Sequence, residues 1–181
     1  MGTPLPTRAG FALMSVLGLA GCPRPGVEGR VPGVNELLPV GMPAPDFETI
    51  AHDGTHVLLS ALRGRDVVLY FYPMDDTSGC TKEACDFRDS WARLQDAGVA
   101  VFGVSTQGNA SHAEFARKYQ LPFPLLPDER RELADKYHVP LTLGLAHRVT
   151  YLIGKDGRIK RVWEKVTPVG HAAEILAAVR T

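Results

Sequence analysis

Residues 66–105 read DVVLYFYPMDDTSGCTKEACDFRDSWARLQDAGVAVFGVS. The stretch opens on Asp66–Tyr72, a continuous run of apolar β-branched and aromatic residues ended by Pro73, which suits a strand buried on both faces. Val99–Ser105 is a second run of the same kind. Between them Cys80, Ala84, Phe87, Trp91 and Leu94 recur at spacings of four and three. That periodicity predicts one amphipathic helix, stopped at Gly98, where a chain commonly leaves a helix through glycine. Strand, helix and strand in forty residues predict a right-handed parallel crossover.

Outward from this unit, Ser111-x-x-Glu114 is a capping-box pattern and predicts a second helix that starts at Ser111 and buries Phe115 and Tyr119. The prolines of Leu121-Pro-Phe-Pro-Leu-Leu-Pro break it. A short helix is expected over Arg130–Tyr137. Val149–Ile153 and Arg158–Val162 flank Gly154-Lys-Asp-Gly157, a hairpin signal. A last helix over His171–Arg180 offers Ala172, Ile175, Leu176 and Val179 as one face. Helices around a mixed sheet with a terminal hairpin make an α/β fold compatible with a thioredoxin-like sandwich.

The first residues read differently. MGTPLPTRAGFALMSVLGLAGC carries one basic residue, Arg8, followed by an apolar run from about Ala9 to Ala20. That run is short for a membrane span but has the size of a signal-peptide core. It ends in Leu19-Ala20-Gly21-Cys22, which resembles the bacterial lipobox, whose cysteine is lipidated. Residues 1–21 are therefore expected to be a signal peptide and Cys22 a lipid anchor. Residues 22–41, rich in proline and glycine, read as a tether, with one globular domain over 42–181. The chain has 181 residues, 45% hydrophobic and 22% charged, with a formal net charge of zero. It is thus sized for one core, with no electrostatic signature of a nucleic-acid partner.

A lipidated Cys22 leaves Cys80 and Cys85 as the thiols that could react. Cys80 falls in the first turn of the predicted helix, where unpaired amides and the helix dipole favour a thiolate. Five residues along an ideal helix separate two α-carbons by roughly 8.6 Å, beyond the roughly 7 Å that a disulfide tolerates. A static bridge fits this spacing badly, and a bond made and broken in turnover, with the helix unwound, fits better. Unpaired buried thiols remain open as a reading. A metal site is weakly supported, because neither a second cysteine pair nor neighbouring histidines accompany the two.

The segment Phe71–Cys85, FYPMDDTSGCTKEAC, resembles the active-site segment of the peroxiredoxins, specifically the bacterioferritin comigratory protein (PrxQ) subfamily. Its core pattern Pro-x-x-x-Thr-x-x-Cys is met by Pro73, Thr77 and Cys80. The resemblance continues through 111–128, Arg148-Val-Thr-Tyr-Leu-Ile, Trp163 and Gly170-His171-Ala172, and so covers residues 42–181. It implies a thioredoxin-like fold and a thiol-dependent peroxidase without a cofactor. Cys80 would be the peroxidatic cysteine, oxidised by hydrogen peroxide or an alkyl hydroperoxide to a sulfenic acid. Cys85 would resolve it as an intramolecular disulfide, and a thioredoxin-like donor would reduce that bond. Thr77 would hydrogen-bond the peroxide, Pro73 would shield the thiolate, and Arg148 would stabilise thiolate and transition state. Glu83 matches the motif's glutamate but reads equally well as an exposed first-turn acid, and is left outside the expected site.

Two features depart from the subfamily pattern. Ser78 stands where proline is frequent, and the lipobox is unusual for a mostly cytosolic family. A monomer anchored in the bacterial cell envelope, facing the periplasm, is expected, or a cytoplasmic protein if the lipobox is not processed. Disulfides persist outside the cytoplasm, so such a protein would need a periplasmic or membrane-linked reductant. The rival readings are a thiol–disulfide oxidoreductase or metallochaperone of the same fold, whose cysteines are usually closer together, and a non-enzymatic redox-sensing lipoprotein.

Overall fold

The computed structural model describes residues Met1–Gly2 and 36–180. The expected signal peptide beyond Gly2, Cys22 and most of the tether lie outside them. The packed domain begins before residue 42: Leu38 is buried at 2% exposure and its amide donates to the Tyr151 hydroxyl at 3.2 Å. The tether assigned to 22–41 therefore gives up its last residues to the core, because a leucine with a buried site to fill is not linker.

A hairpin of β1 (Glu48–Ile50) and β2 (His56–Leu58) precedes β3 (Asp66–Phe71), whose six residues are all buried. Two helices follow, α1 (Ser78–Asp89) and α2 (Trp91–Asp96), and then β4 (Val99–Ser105), parallel to β3. The expected crossover is present, but its single helix is divided at Ser90, whose ψ of 4° departs from helical geometry. The break turns Trp91 against Phe123, with ring centroids 5.7 Å apart. Gly98, at φ +72°, ends the unit as expected.

The chain continues through α3 (Asn109–Tyr119), β5 (Leu125–Pro127), α4 (Glu132–Lys136), a small hairpin of β6 (Leu141–Thr142) and β7 (Leu145–Ala146), β8 (Val149–Ile153), β9 (Ile159–Trp163) and α5 (His171–Val179). The main sheet has the order β5-β4-β3-β8-β9. β3, β4 and β5 are parallel, while β8 and β9 run antiparallel to their neighbours. This is the mixed sheet flanked by helices that the sequence implies.

Side chains alternate across β3 with the period of a strand. Val67, Leu69 and Phe71 enter one core with Phe102, Leu133, Tyr137 and Tyr151. Val68, Tyr70 and Tyr72 enter the other with Cys80, Phe87, Leu94, Phe115 and Ile175. α3 differs from expectation at its start. Its N-cap is Gly108 without a side-chain cap, and the Ser111 hydroxyl donates to Asp75 at 2.6 Å instead. A buried carboxylate competes successfully for that hydroxyl.

Candidate active site

The site forms where β3 ends and α1 begins. Thr77 is the N-cap of α1, so Ser78, Gly79 and Cys80 are its first three residues. Cys80 is 2% exposed. Its depth follows from its place on the inward face of α1, beside Ala84 and Phe87, which are fully buried.

Arg148 lies 68 residues away in sequence, yet its Nη2 donates to Cys80 Sγ at 3.2 Å. The sheet register brings it there. β8 pairs antiparallel with β3, and Val149 sits opposite Phe71, so the residue before β8 meets the residues that follow β3. Gly79 leaves room for the guanidinium: a Cβ at this position would stand 3.2 Å from Arg148 Nη2.

The other edge of that guanidinium donates to Glu83, through Nη1 and Oε2. Glu83 is fully buried, and its Oε1 has no hydrogen-bond partner. Burial pushes its carboxyl up to about 7, against the opposing pull of Arg148. Glu83 belongs to the site, although its sequence context reads equally as surface. The usable signal is its spacing of three from Cys80, which shares a helix face. Burial of that face is decided by α1 docking on the sheet.

Thr77 is exposed, and its hydroxyl donates to the Met74 carbonyl at 3.0 Å rather than capping the helix. Its lone pairs are left to accept a hydrogen bond from another donor. Pro73 is half-buried. With Leu143, Leu145, Ala146, Arg148 and Val166 it lines an open, mainly apolar depression of about 610 Å³ beside the guanidinium.

The loop between Pro73 and Thr77 is held from below. The carboxylate of Asp75, 7% exposed, accepts from the Tyr72 hydroxyl at 2.7 Å, from Ser111 at 2.6 Å and from His112 Nδ1 at 2.8 Å. Burial opposes ionisation of Asp75, but the bonds from His112, Ser111 and Tyr72 outweigh it and hold the carboxyl below its usual range. Asp76 adopts φ +58°, and its carboxylate accepts from Lys118 and from Tyr119 at 2.5 Å. Neither aspartate is among the site residues to which the sequence points.

Cys85 is half-buried in the same intact helix, and both cysteines are free. The structure thus brings Cys80 and Arg148 into contact with Glu83, sets Thr77 and Pro73 at the margin, and leaves Cys85 on another face of α1. Among the described residues no cluster of three or more histidine, cysteine or acidic side chains could hold a metal.

Residues 40–162 match the AhpC/TSA family. The chain is 39% identical over 150 residues to peroxiredoxin Bcp of Bacillus subtilis, covering 79% of this chain and 96% of that one. It is 38% identical over 182 residues to the chloroplastic peroxiredoxin Q of Oryza sativa subsp. japonica, covering 99% and 78%. The fold superposes on peroxidoxin BcpB of Mycobacterium tuberculosis with a TM-score of 0.72 at 35% identity, over 78% of this chain and 96% of that one. A bacterioferritin comigratory protein of Xanthomonas campestris, described for its alkyl peroxide reduction activity, gives a TM-score of 0.72 at 31% identity, over 78% and 98%. With a thiol under an arginine at a helix N-terminus, and with these relatives, the chain belongs to the AhpC/TSA family as a thiol-dependent peroxidase of the Bcp/PrxQ kind.

Proposed function

We propose that Cys80 is the peroxidatic cysteine and that Cys85 resolves it. The observation that carries the reading is the 3.2 Å contact between Arg148 Nη2 and Cys80 Sγ in the first turn of α1. A full positive charge and a helix N-terminus converge on one buried sulfur, the setting of a nucleophilic cysteine.

The thiolate attacks the terminal oxygen of hydrogen peroxide or an alkyl hydroperoxide. An S–O bond forms as the O–O bond breaks, and water or alcohol leaves after taking up a proton, so that Cys80 becomes a sulfenic acid. Thr77 accepts from the hydroperoxide O–H, while Arg148 stabilises the charge that develops on the departing oxygen. Pro73 limits access of water to the sulfur. The apolar depression beside Pro73 and Arg148 suits the organic part of an alkyl hydroperoxide, the substrate type named for the Xanthomonas campestris relative.

Cys85 then condenses with the sulfenic acid to an intramolecular disulfide and water, which requires the first turns of α1 to unwind. A thioredoxin-like dithiol reduces the bond. A lipid on Cys22 would hold a monomeric enzyme in the cell envelope, where the reductant would be periplasmic or membrane-linked. The apolar run that ends at Leu19-Ala20-Gly21-Cys22 supports this location, and the mass of the mature N-terminal peptide tests it.

The catalytic assignment is tested by peroxide consumption with dithiothreitol for wild type, Cys80→Ser and Cys85→Ser. Cys80→Ser is expected to be inactive and Cys85→Ser to accumulate sulfenic acid. Full activity in Cys80→Ser would overturn the assignment.

A further inference from the structure

α1 is anchored unequally along its length. Its first two turns bury a thiol at Cys80, a carboxyl at Glu83 and a methyl at Ala84. The Glu83 carboxyl lacks a partner on Oε1, and the polar side chains of this half are held by a single group, the Arg148 guanidinium on Cys80 and Glu83. The last turn is held differently. Phe87, fully buried, stacks on Tyr70 with centroids 4.8 Å apart and meets His171 edge-on at 5.8 Å. Asp86 reaches across to α5: its Oδ1 accepts the Gly170 amide at 3.0 Å and its Oδ2 the Ala172 amide at 2.8 Å. α5 has no side-chain cap of its own, and Gly170 is its N-cap. Asp86 therefore supplies the missing cap from a different helix.

We infer that Asp86 is the stop of the unwinding step: α1 opens over residues 78–85, and the Asp86 clamp on α5 keeps Cys85 near its place while Cys80 travels to it. The inference rests on Cys85 being the resolving residue. With Asp86 fixed, the α-carbon of Cys85 is tethered about 3.8 Å from a stationary point. Most of the approach is then made by the Cys80 end, which leaves Arg148 and draws Glu83 out with it. A partner confined in this way meets the sulfenic acid at a higher effective concentration than one on a free chain end. In the step itself the S–O bond of the sulfenic acid breaks, an S–S bond forms, and the oxygen leaves as water with the Cys85 proton. Asp86 touches no reacting atom and is a positioning residue.

Amide exchange followed by NMR on the full chain, reduced and after one equivalent of hydrogen peroxide, tests the stop directly. Oxidation is expected to lower protection at least tenfold over 81–85, the amides of that half bonded within the helix, and to leave Gly170 and Ala172 within twofold. Loss of protection at Gly170 and Ala172 together with 81–85 would overturn the inference alone. Peptide mapping that finds no Cys80–Cys85 bond in the oxidised protein would overturn it together with the resolving role of Cys85. In Asp86→Ala the first oxidation is expected to keep its rate within twofold. Disulfide closure is expected to slow three- to tenfold, with more Cys80 sulfinic acid in excess peroxide. Asp86→Asn, which retains one acceptor, should fall between the two. Closure as fast as wild type or faster in Asp86→Ala overturns the inference, and the exchange pattern of the wild type decides it even if that variant does not fold.

Discussion

Replacing Glu83 by glutamine should change how stability depends on pH, and the structure sets both sign and size. Two effects oppose each other at this carboxyl: complete burial favours the neutral acid, while the guanidinium of Arg148 favours the anion. Burial wins, and the group titrates at about 7 in the folded chain against 4.5 unfolded. Below pH 4.5 both states hold the proton and the contribution of Glu83 is fully present. Between 4.5 and 7 the unfolded chain releases its proton and the folded chain retains it, so stability falls as pH rises. Above 7 the contribution is gone. At 1.36 kcal/mol per pH unit, the interval corresponds to about 3 kcal/mol. Glu83→Gln preserves the shape and removes the titration. Urea unfolding of the reduced protein and the variant from pH 4.5 to 8 isolates the effect, since other titrating groups cancel in the difference. Wild type minus variant should decline by about 3 kcal/mol up to about pH 7 and then level off. A difference that is flat, or that rises with pH, would show that Arg148 overcomes burial and that the reasoning is wrong.

Three further outcomes follow from the same geometry. Arg148→Met should lower kcat/KM for hydrogen peroxide by about 100-fold or more, as expected for loss of a preorganised donor to developing charge, and stopped-flow oxidation of Cys80 measures it. Gly79→Ala should slow peroxide reduction, because its Cβ would press on Arg148 Nη2 at 3.2 Å; a variant with the wild-type rate would contradict the account of Gly79. Asp75→Ala should cost about 3–5 kcal/mol in chemical denaturation, because the donors on Tyr72, Ser111 and His112 lose a shared buried acceptor.

Much of the framework is legible in local sequence. DVVLYFY and VAVFGVS are strands because unbroken β-branched and aromatic runs suit a strand covered on both faces, and they pair in parallel as the helix between them demands. The helix–coil boundary at Gly98 and the hairpin around Gly154–Gly157 are equally local, with Gly98 and Gly157 at positive φ. The break at Ser90 is not legible. Cys80, Ala84, Phe87, Trp91 and Leu94 keep one helical period through it, and the contact that accompanies the break, Trp91 on Phe123, joins residues 32 apart in the sequence. Ser111 shows the same limit. Its capping-box context is correct as local chemistry, but Asp75, 36 residues earlier, takes the hydroxyl.

The candidate site divides along the same line. By itself the sequence determined that Cys80 stands at a helix N-terminus after a buried strand, because strand, turn and helix periodicity lie in contiguous residues. It also determined that Cys80 and Cys85, five apart on one helix, cannot be bonded while that helix is intact, because helix rise and turn are the same in every protein. Tertiary structure alone decided the rest. Arg148 meets Cys80 because an antiparallel register sets Val149 opposite Phe71. Glu83 is an interior acid rather than a surface one because α1 docks with that face inward. Asp86 is a cap for α5 rather than an ordinary helix-surface acid because α5 starts beside it, 84 residues further along the chain. Burial and hydrogen bonding are set by neighbours in space, and for these three side chains the neighbours that matter lie more than sixty residues away in the sequence.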